Sequence, residues 1–321
     1  MRDNVIIFEI FFISGRDLVS FSRGLLILFL SMRPWSFIMS LLVILISALY
    51  VLYLSYYVDL LLLTLIILGV LLLHGVANWL NDYFDYVKGV DRLETGTVMY
   101  RPHPLVENIL IPNRLFLGSM LLFSLSLSIG LYISYVYNRW FIIPMGLLGF
   151  MIGFMYSGYP YMKHRALGEV LVFVAFGPLL TLGVFYALTG GLDARAFLIG
   201  VPLGFLISNV LFANNIRDMK TDLERSVRTL ANLLGLEKSL VLYQVFYLLA
   251  YLSQIALVIL GILPISTLAT LLIIPRVIKL VKLFKQKIPS DADPRTAAIL
   301  RDYALLMILG LVLGIVYRRI F

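Results

Sequence analysis

The 321-residue sequence contains no cysteine, which removes disulfides, thiolate metal centres and cysteine nucleophiles from consideration. Histidine is nearly as scarce: His74, His103 and His164 are the whole set, none has another one helical turn away, and an imidazole-built metal site is not expected. Charge is thin too, at 14% of residues against about 25% in an ordinary soluble domain. With 61% of the chain hydrophobic, a soluble globular domain is excluded and an integral membrane protein is expected. The stretch up to Ser31 lacks a small-residue cleavage site. It reads as one or two interfacial helices over residues 1–33 rather than as a removed signal peptide.

What the chain does have is apolar runs of ~20 residues, the length that crosses a bilayer. They fall at 35–56, 60–80, 115–136, 140–156, 167–189, 196–214, 240–260, 265–280 and 296–316, with the fourth and eighth short. The expected fold is an all-α membrane protein of about nine transmembrane helices, one domain over residues 1–321. A net charge of +8 raises nucleic acid as a partner, but the placement of that charge answers the question. Of the 26 Lys and Arg, only Arg139, Arg195, Arg318 and Arg319 fall on one side of the membrane in this arrangement. The positive-inside rule then puts the N-terminus and the loops after spans two, four, six and eight in the cytoplasm of a multi-pass protein of the cell membrane. The partner is the lipid bilayer, with no nucleic acid. The last of these loops, residues 276–295, is a basic amphipathic tract of the kind that meets anionic headgroups.

Two polar clusters stand at the cytoplasmic ends of spans. In the first, Asn78, Asn81, Asp82 and Asp85 recur at i, i+3, i+4 and i+7 and share one helix face. In the second, Asn214, Asp218 and Asp222 are four residues apart. Ala77-Asn78 and Ala213-Asn214 open the two clusters alike, which suggests a coarse repeat of two halves. Carboxylates at helix C-termini oppose the macrodipole and call for a cation. Hard oxygen donors of this kind suit Mg²⁺, whose octahedron substrate phosphates complete. A diphosphate so held also needs cationic and hydroxyl donors. Arg33, Arg101, Tyr156, Ser157, Lys163 and Arg217 lie at the same depth, on Arg33-Pro34-Trp35, the long second loop, the Tyr156-to-Glu169 loop and the second cluster. His74, inside the second span, reads as a hydrogen-bonded bundle residue.

These residues resemble the membrane-embedded UbiA-type aromatic prenyltransferases. The resemblance rests on Arg33-Pro34, Asn81-Asp82-x-x-Asp85 continuing through Gly89 to Asp91, Tyr156-Ser157-x-x-Pro160 with Gly168-Glu169, and Asp218-x-x-x-Asp222. The tracts Asn214-Asn215-Ile216-Arg217-Asp218 and Arg228 to Gly235, with Pro104 to Leu110, are most similar to the menaquinone branch, the 1,4-dihydroxy-2-naphthoate prenyltransferases and their vertebrate vitamin K2-forming relatives. Arg101-Pro102-His103-Pro104 instead resembles the RP-x-P loop of the 4-hydroxybenzoate and ether-lipid branches, so the acceptor stays open. The resemblance implies nine helices around a central cavity, capped on the cytoplasmic side by the motif loops. It implies Mg²⁺-assisted ionisation of an isoprenyl diphosphate and capture of the allylic cation by an aromatic or other small acceptor. Two Mg²⁺ ions bridging the diphosphate are expected. By the same resemblance Asn81, Asp85, Asp218 and Asp222 are metal ligands, with Asn78 and Asn214 as further oxygen donors. Asp82, Asp91, Lys163 and Tyr156 form the candidate catalytic set. The alternatives are prenylation of a glyceryl phosphate in ether-lipid synthesis and, in another class, an ion-coupled secondary transporter; the latter is disfavoured because transporter sites lie near the midplane.

Overall fold

The computed structural model describes residues 24, 26–91, 103–225 and 227–320, and among them the chain is helical with no strand. Nine helices follow in order: α1 Phe37–Tyr53, α2 Leu60–Val87, α3 Pro112–Tyr137, α4 Ile142–Ser157, α5 Gly168–Thr189, α6 Ala194–Glu224, α7 Leu230–Ile259, α8 Ile274–Gln286 and α9 Ala292–Ile320. Seven membrane-crossing candidates are long and apolar enough to span, the first counted from Leu26 to Tyr53; α4 is a shorter apolar helix. The all-α, nine-helix expectation is borne out. Its eighth member differs in form, because a 3₁₀ segment at Ile265–Ile273 leads into an amphipathic α8. There Val277, Leu280 and Phe284 turn inward while Lys279, Lys282 and Lys285 are exposed, so the basic face stays free of the core.

Local chemistry sets the helix ends. The Asp59 carboxylate accepts the N–H groups of Leu61 and Leu62 and opens α2; Asp193 does the same for Arg195 in α6. α2 and α6 then run past the apolar stretches that predicted them, to Val87 and Glu224, so both acidic clusters lie inside helices. α6 is the bundle's axis: 72% of its apolar window is buried inside the protein, against 11% for the lipid-facing α3. It reaches that position because α5 and α6 meet backbone to backbone. A Cβ on Gly177 would stand 2.7 Å from both the Gly200 carbonyl oxygen and the Gly204 Cα. Around Gly177 and Pro178, α5 loosens into a π-helical turn, Ala175–Leu179, which bends it around the cavity.

At the end opposite the acidic clusters, two of the four arginines tie neighbouring helices together. Arg139 Nε donates to the Ala187 carbonyl at 3.2 Å, and Arg318 covers the Tyr53 ring at 4.0 Å while donating to the Tyr53 carbonyl. Single cysteines introduced at Lys88, Lys163, Lys220 or Gly190 test the orientation against a chain with no native thiol. An impermeant thiol reagent on intact cells is expected to label Gly190 alone; labelling of the other three would invert the topology. The expected interfacial helices over 1–33 lie largely outside the described residues. Within them, the Trp79 indole donates to Ser31 Oγ at 2.8 Å and pins the segment before Arg33 to α2.

Candidate active site

The helix period brings Asn78, Asn81 and Asp85 of α2 to the wall of one cavity of about 580 Å³, and Asn214, Asp218 and Asp222 of α6 to the facing wall. Both acidic clusters therefore open on the same space. Below them the wall turns apolar, lined by residues such as Leu73, Phe123, Ile143, Leu180 and Val184.

Resident cations hold the acids in place. Lys163 Nζ lies 2.5 Å from each oxygen of Asp85, whose Oδ2 also takes the Asn81 amide at 3.0 Å. Lys163 gets there on a one-turn 3₁₀ segment, Met162–Arg165, bracketed by Tyr161 and Ala166 in the left-handed region. Arg33, left-handed at φ 58°, donates through one terminal nitrogen to Asn81 and Asp82, at 2.7 Å each. On α6, Arg217 forks onto both oxygens of Asp218, reaches Asn214 Oδ1 at 2.6 Å and pairs with Asp293 at the start of α9. Non-glycine residues in such conformations cost about 1–3 kcal/mol each and concentrate at functional sites.

Not every expected residue faces the cavity. Asp82 is fully buried at the edge of the α2 stripe against Arg33, and Ser157, also buried, accepts the Asn81 amide at 2.7 Å; neither lines the space. Arg217 is likewise outside the lining, behind Asp218. Tyr156 and Asp91 do line it, whereas Arg101 lies outside the described residues. Asn78 spends its amide on the Met32 carbonyl at 2.7 Å and bonds Ser36. His74 sits between Ser36 and Ser40, a hydrogen-bonded bundle residue as its isolation implied.

Sequence reasoning missed His164, Arg225 and Asp293, all on the cavity wall. Burial, then the nearby Lys163 and Lys88 ammoniums, push the His164 imidazole down to about 3, so it is neutral at ordinary pH. Its adjacency to Lys163 in sequence was the available signal. Two polar atoms here are buried without a partner among the described residues: Arg33 Nε and His164 Nε2. Such donors and acceptors on a cavity wall that also carries Asp85, Asp218 and Asp222 fit a ligand that is anionic and metal-bound. Mg²⁺ suits this oxygen donor set, which contains no sulfur.

Over residues 56–306 the sequence matches the UbiA prenyltransferase family. The chain belongs to that family. Its members are prenyltransferases. The chain is 32% identical over 227 residues to UbiA prenyltransferase domain-containing protein 1 of Danio rerio, a match covering 70% of this chain and 66% of that protein. The Homo sapiens relative of the same name is 30% identical over 227 residues, covering 70% and 65%. The matched chain thus spans just under two thirds of those relatives' length. A solved structure described as digeranylgeranylglyceryl phosphate synthase has a TM-score of 0.64 at 20% identity, over 92% of this chain and 99% of that one. A UbiA homologue from Archaeoglobus fulgidus bound to DMAPP and Mg²⁺ has a TM-score of 0.62 at 15% identity, over 88% and 96%. At those identities the likeness is one of fold.

Proposed function

We propose that this UbiA-family chain, as one domain over residues 1–321, transfers an isoprenyl group from a prenyl diphosphate to an aromatic quinone precursor such as 1,4-dihydroxy-2-naphthoate. The observation that carries the reading is the single cavity into which both acidic helix ends open, polar at that end and apolar below. Asn81, Asp85, Asp218 and Asp222 would hold Mg²⁺, two ions in all, with Asn78 and Asn214 beside them. Bound there, the metal supplies a Lewis acid for the charge that gathers on the leaving diphosphate.

The protein's own groups do the rest. Lys163 and Arg33 line the cavity as cations, Lys163 paired with Asp85 and Arg33 with Asp82 while donating to Asn81, and both can turn to phosphate oxygens when these arrive. Tyr156 and His164 add further hydrogen-bonding partners on the cavity lining. Cleavage of the prenyl C–O bond sends its electron pair to diphosphate and leaves an allylic cation. The acceptor ring supplies the electrons of the new C–C bond, and the proton lost from the acceptor passes to a base. The apolar wall shields the cation from water, and rings such as Phe123 and Tyr156 face it. The active site opens to the cytoplasm in this reading. Acids in the last turns of α2 and α6, rather than at a midplane break, speak against the transporter alternative.

The acceptor is tested by competition among equal concentrations of 1,4-dihydroxy-2-naphthoate, 4-hydroxybenzoate and a glyceryl phosphate. The ratio of kcat/KM values is expected to favour the bicyclic ring, because the α6 cluster and the following Arg228-to-Gly235 tract are most similar to the menaquinone branch. The glyceryl phosphate reading has support of its own in the synthase fold neighbour. Preference for the glyceryl phosphate would move the chain to that branch and leave the diphosphate half intact.

A further inference from the structure

Asp91 lines the cavity from a turn beyond the end of α2. Three backbone bonds fold that turn back: Gly89 N–H to Tyr86, and the N–H groups of Val90 and Asp91 to the Asp85 carbonyl. Gly89, at φ 70°, takes the left-handed conformation the turn requires. What fixes the carboxylate itself comes from twelve residues on. His103, fully buried, places Nε2 3.2 Å from Asp91 Oδ2.

The direction of that bond follows from the other side of the ring. His103 Nδ1 accepts the backbone N–H groups of Leu105 and Val106, at 3.3 and 3.2 Å. A ring nitrogen that accepts carries no proton, so in the neutral imidazole the proton is on Nε2 and points at Asp91. The imidazole is itself clamped. Its main-chain N–H donates to Glu107 Oε1 at 2.7 Å, the Glu107 N–H returns to the His103 carbonyl at 3.0 Å, and Leu105 packs into a buried cluster with Trp79 and Leu115. Asp82 is close by, with oxygens of Asp82 and Asp91 and a nitrogen of His103 within 4.8 Å of one another. That trio has the composition of a metal site, but with Nδ1 accepting two backbone N–H groups Nε2 carries the proton and has no lone pair for an ion. The arrangement is instead an orienting hydrogen bond behind a carboxylate that faces substrate space.

We propose that His103 is a positioning residue. Its Nε2–H fixes the Asp91 carboxylate on the cavity wall so that Asp91 accepts a hydrogen bond from a hydroxyl of the prenyl acceptor. The inference rests on the prenyl-transfer reading for the identity of that ligand. It ties the cap turn over residues 103–110 to the acceptor half of the reaction, while Lys163 and the α2 and α6 acids serve the diphosphate half. An acceptor-side effect is therefore expected to separate cleanly from a diphosphate-side one.

The test compares His103→Ala with His103→Gln, whose side-chain amide restores an N–H donor. With purified protein, His103→Ala is expected to raise the KM for 1,4-dihydroxy-2-naphthoate at least ~10-fold, the scale of one lost orienting hydrogen bond. The KM for the prenyl diphosphate should stay within about twofold, and His103→Gln should recover most of the loss. Adding His103→Ala to Asp91→Asn should cost little more than Asp91→Asn alone, since the two act as a unit. Equal rises in both KM values, no recovery in His103→Gln, or additive losses would overturn the proposal and leave the histidine a clamp for the cap. A readout without turnover comes from ¹⁵N-histidine spectra of the full chain, which should show His103 protonated at Nε2 alone. A proton on Nδ1 would refute the orientation even if the wild type transferred no prenyl group at all, so failure of the functional reading is distinguishable.

Discussion

Replacing Asp85 by Asn is expected to lower turnover by ~10²-fold or more with the helix bundle intact, and Asp218→Asn to do the same. Each substitution keeps an oxygen acceptor and removes one negative charge, so a large effect reports the charge. Asparagine is a better probe than alanine at these positions. Asp85 and Lys163 are both mostly buried, with side-chain exposures of 10% and 13%, and truncating one partner leaves the other uncompensated. An amide can still accept from Lys163 Nζ. If the carboxylates hold metal together, the double variant should lose far less than the product of the two single losses, because the first already removes most of the site. Near-wild-type kcat/KM in both single variants would show that the acids serve only their ion pairs and hold no catalytic metal.

The second large effect is expected at Lys163, in a form that separates two roles. Lys163 Nζ contacts both oxygens of Asp85 and stands 5.7 Å from the Tyr156 ring. As the cation now compensating Asp85, it competes with a divalent ion; as a donor on the cavity wall, it serves the diphosphate. Lys163→Gln should therefore leave Mg²⁺ affinity unchanged or higher while kcat/KM for the prenyl diphosphate falls ~10²-fold. The neighbouring Lys88 is engaged elsewhere, its ammonium lying 3.0 Å from the centre of the Tyr161 ring. Parallel losses of Mg²⁺ and diphosphate binding in Lys163→Gln would mean that the lysine only holds Asp85 in shape.

The parts of this site legible in the sequence are those that the helix period encodes. Asn78, Asn81 and Asp85 share a face because α2 continues through them, and Asn214, Asp218 and Asp222 do so in α6. What escaped the sequence is pairing through space. Arg33 meets Asn81 across 48 residues, Asn81 meets Ser157 across 76 and Lys163 meets Asp85 across 78; no local pattern states those partners. Arg217 is the clearest case. Its placement in the second motif reads as a phosphate contact, but the start of α9 brings Asp293 onto it and turns the guanidinium into a brace for Asp218. The π-helical turn in α5 was equally hidden, since it depends on Gly177 meeting the α6 backbone. The role proposed for His103 required knowing which backbone N–H groups its other nitrogen accepts.

The central claim is that the two acidic helix ends form one metal-dependent diphosphate site. Calorimetric titration of an unreactive prenyl thiolodiphosphate into the purified protein tests it without turnover, once with Mg²⁺ and once with excess chelator. The account predicts saturable binding with Mg²⁺, a loss of at least ~10-fold in affinity under chelation, and a comparable loss in Asp85→Asn and Asp218→Asn with Mg²⁺ present. Equal affinity with and without the metal, unaffected by either substitution, would contradict it.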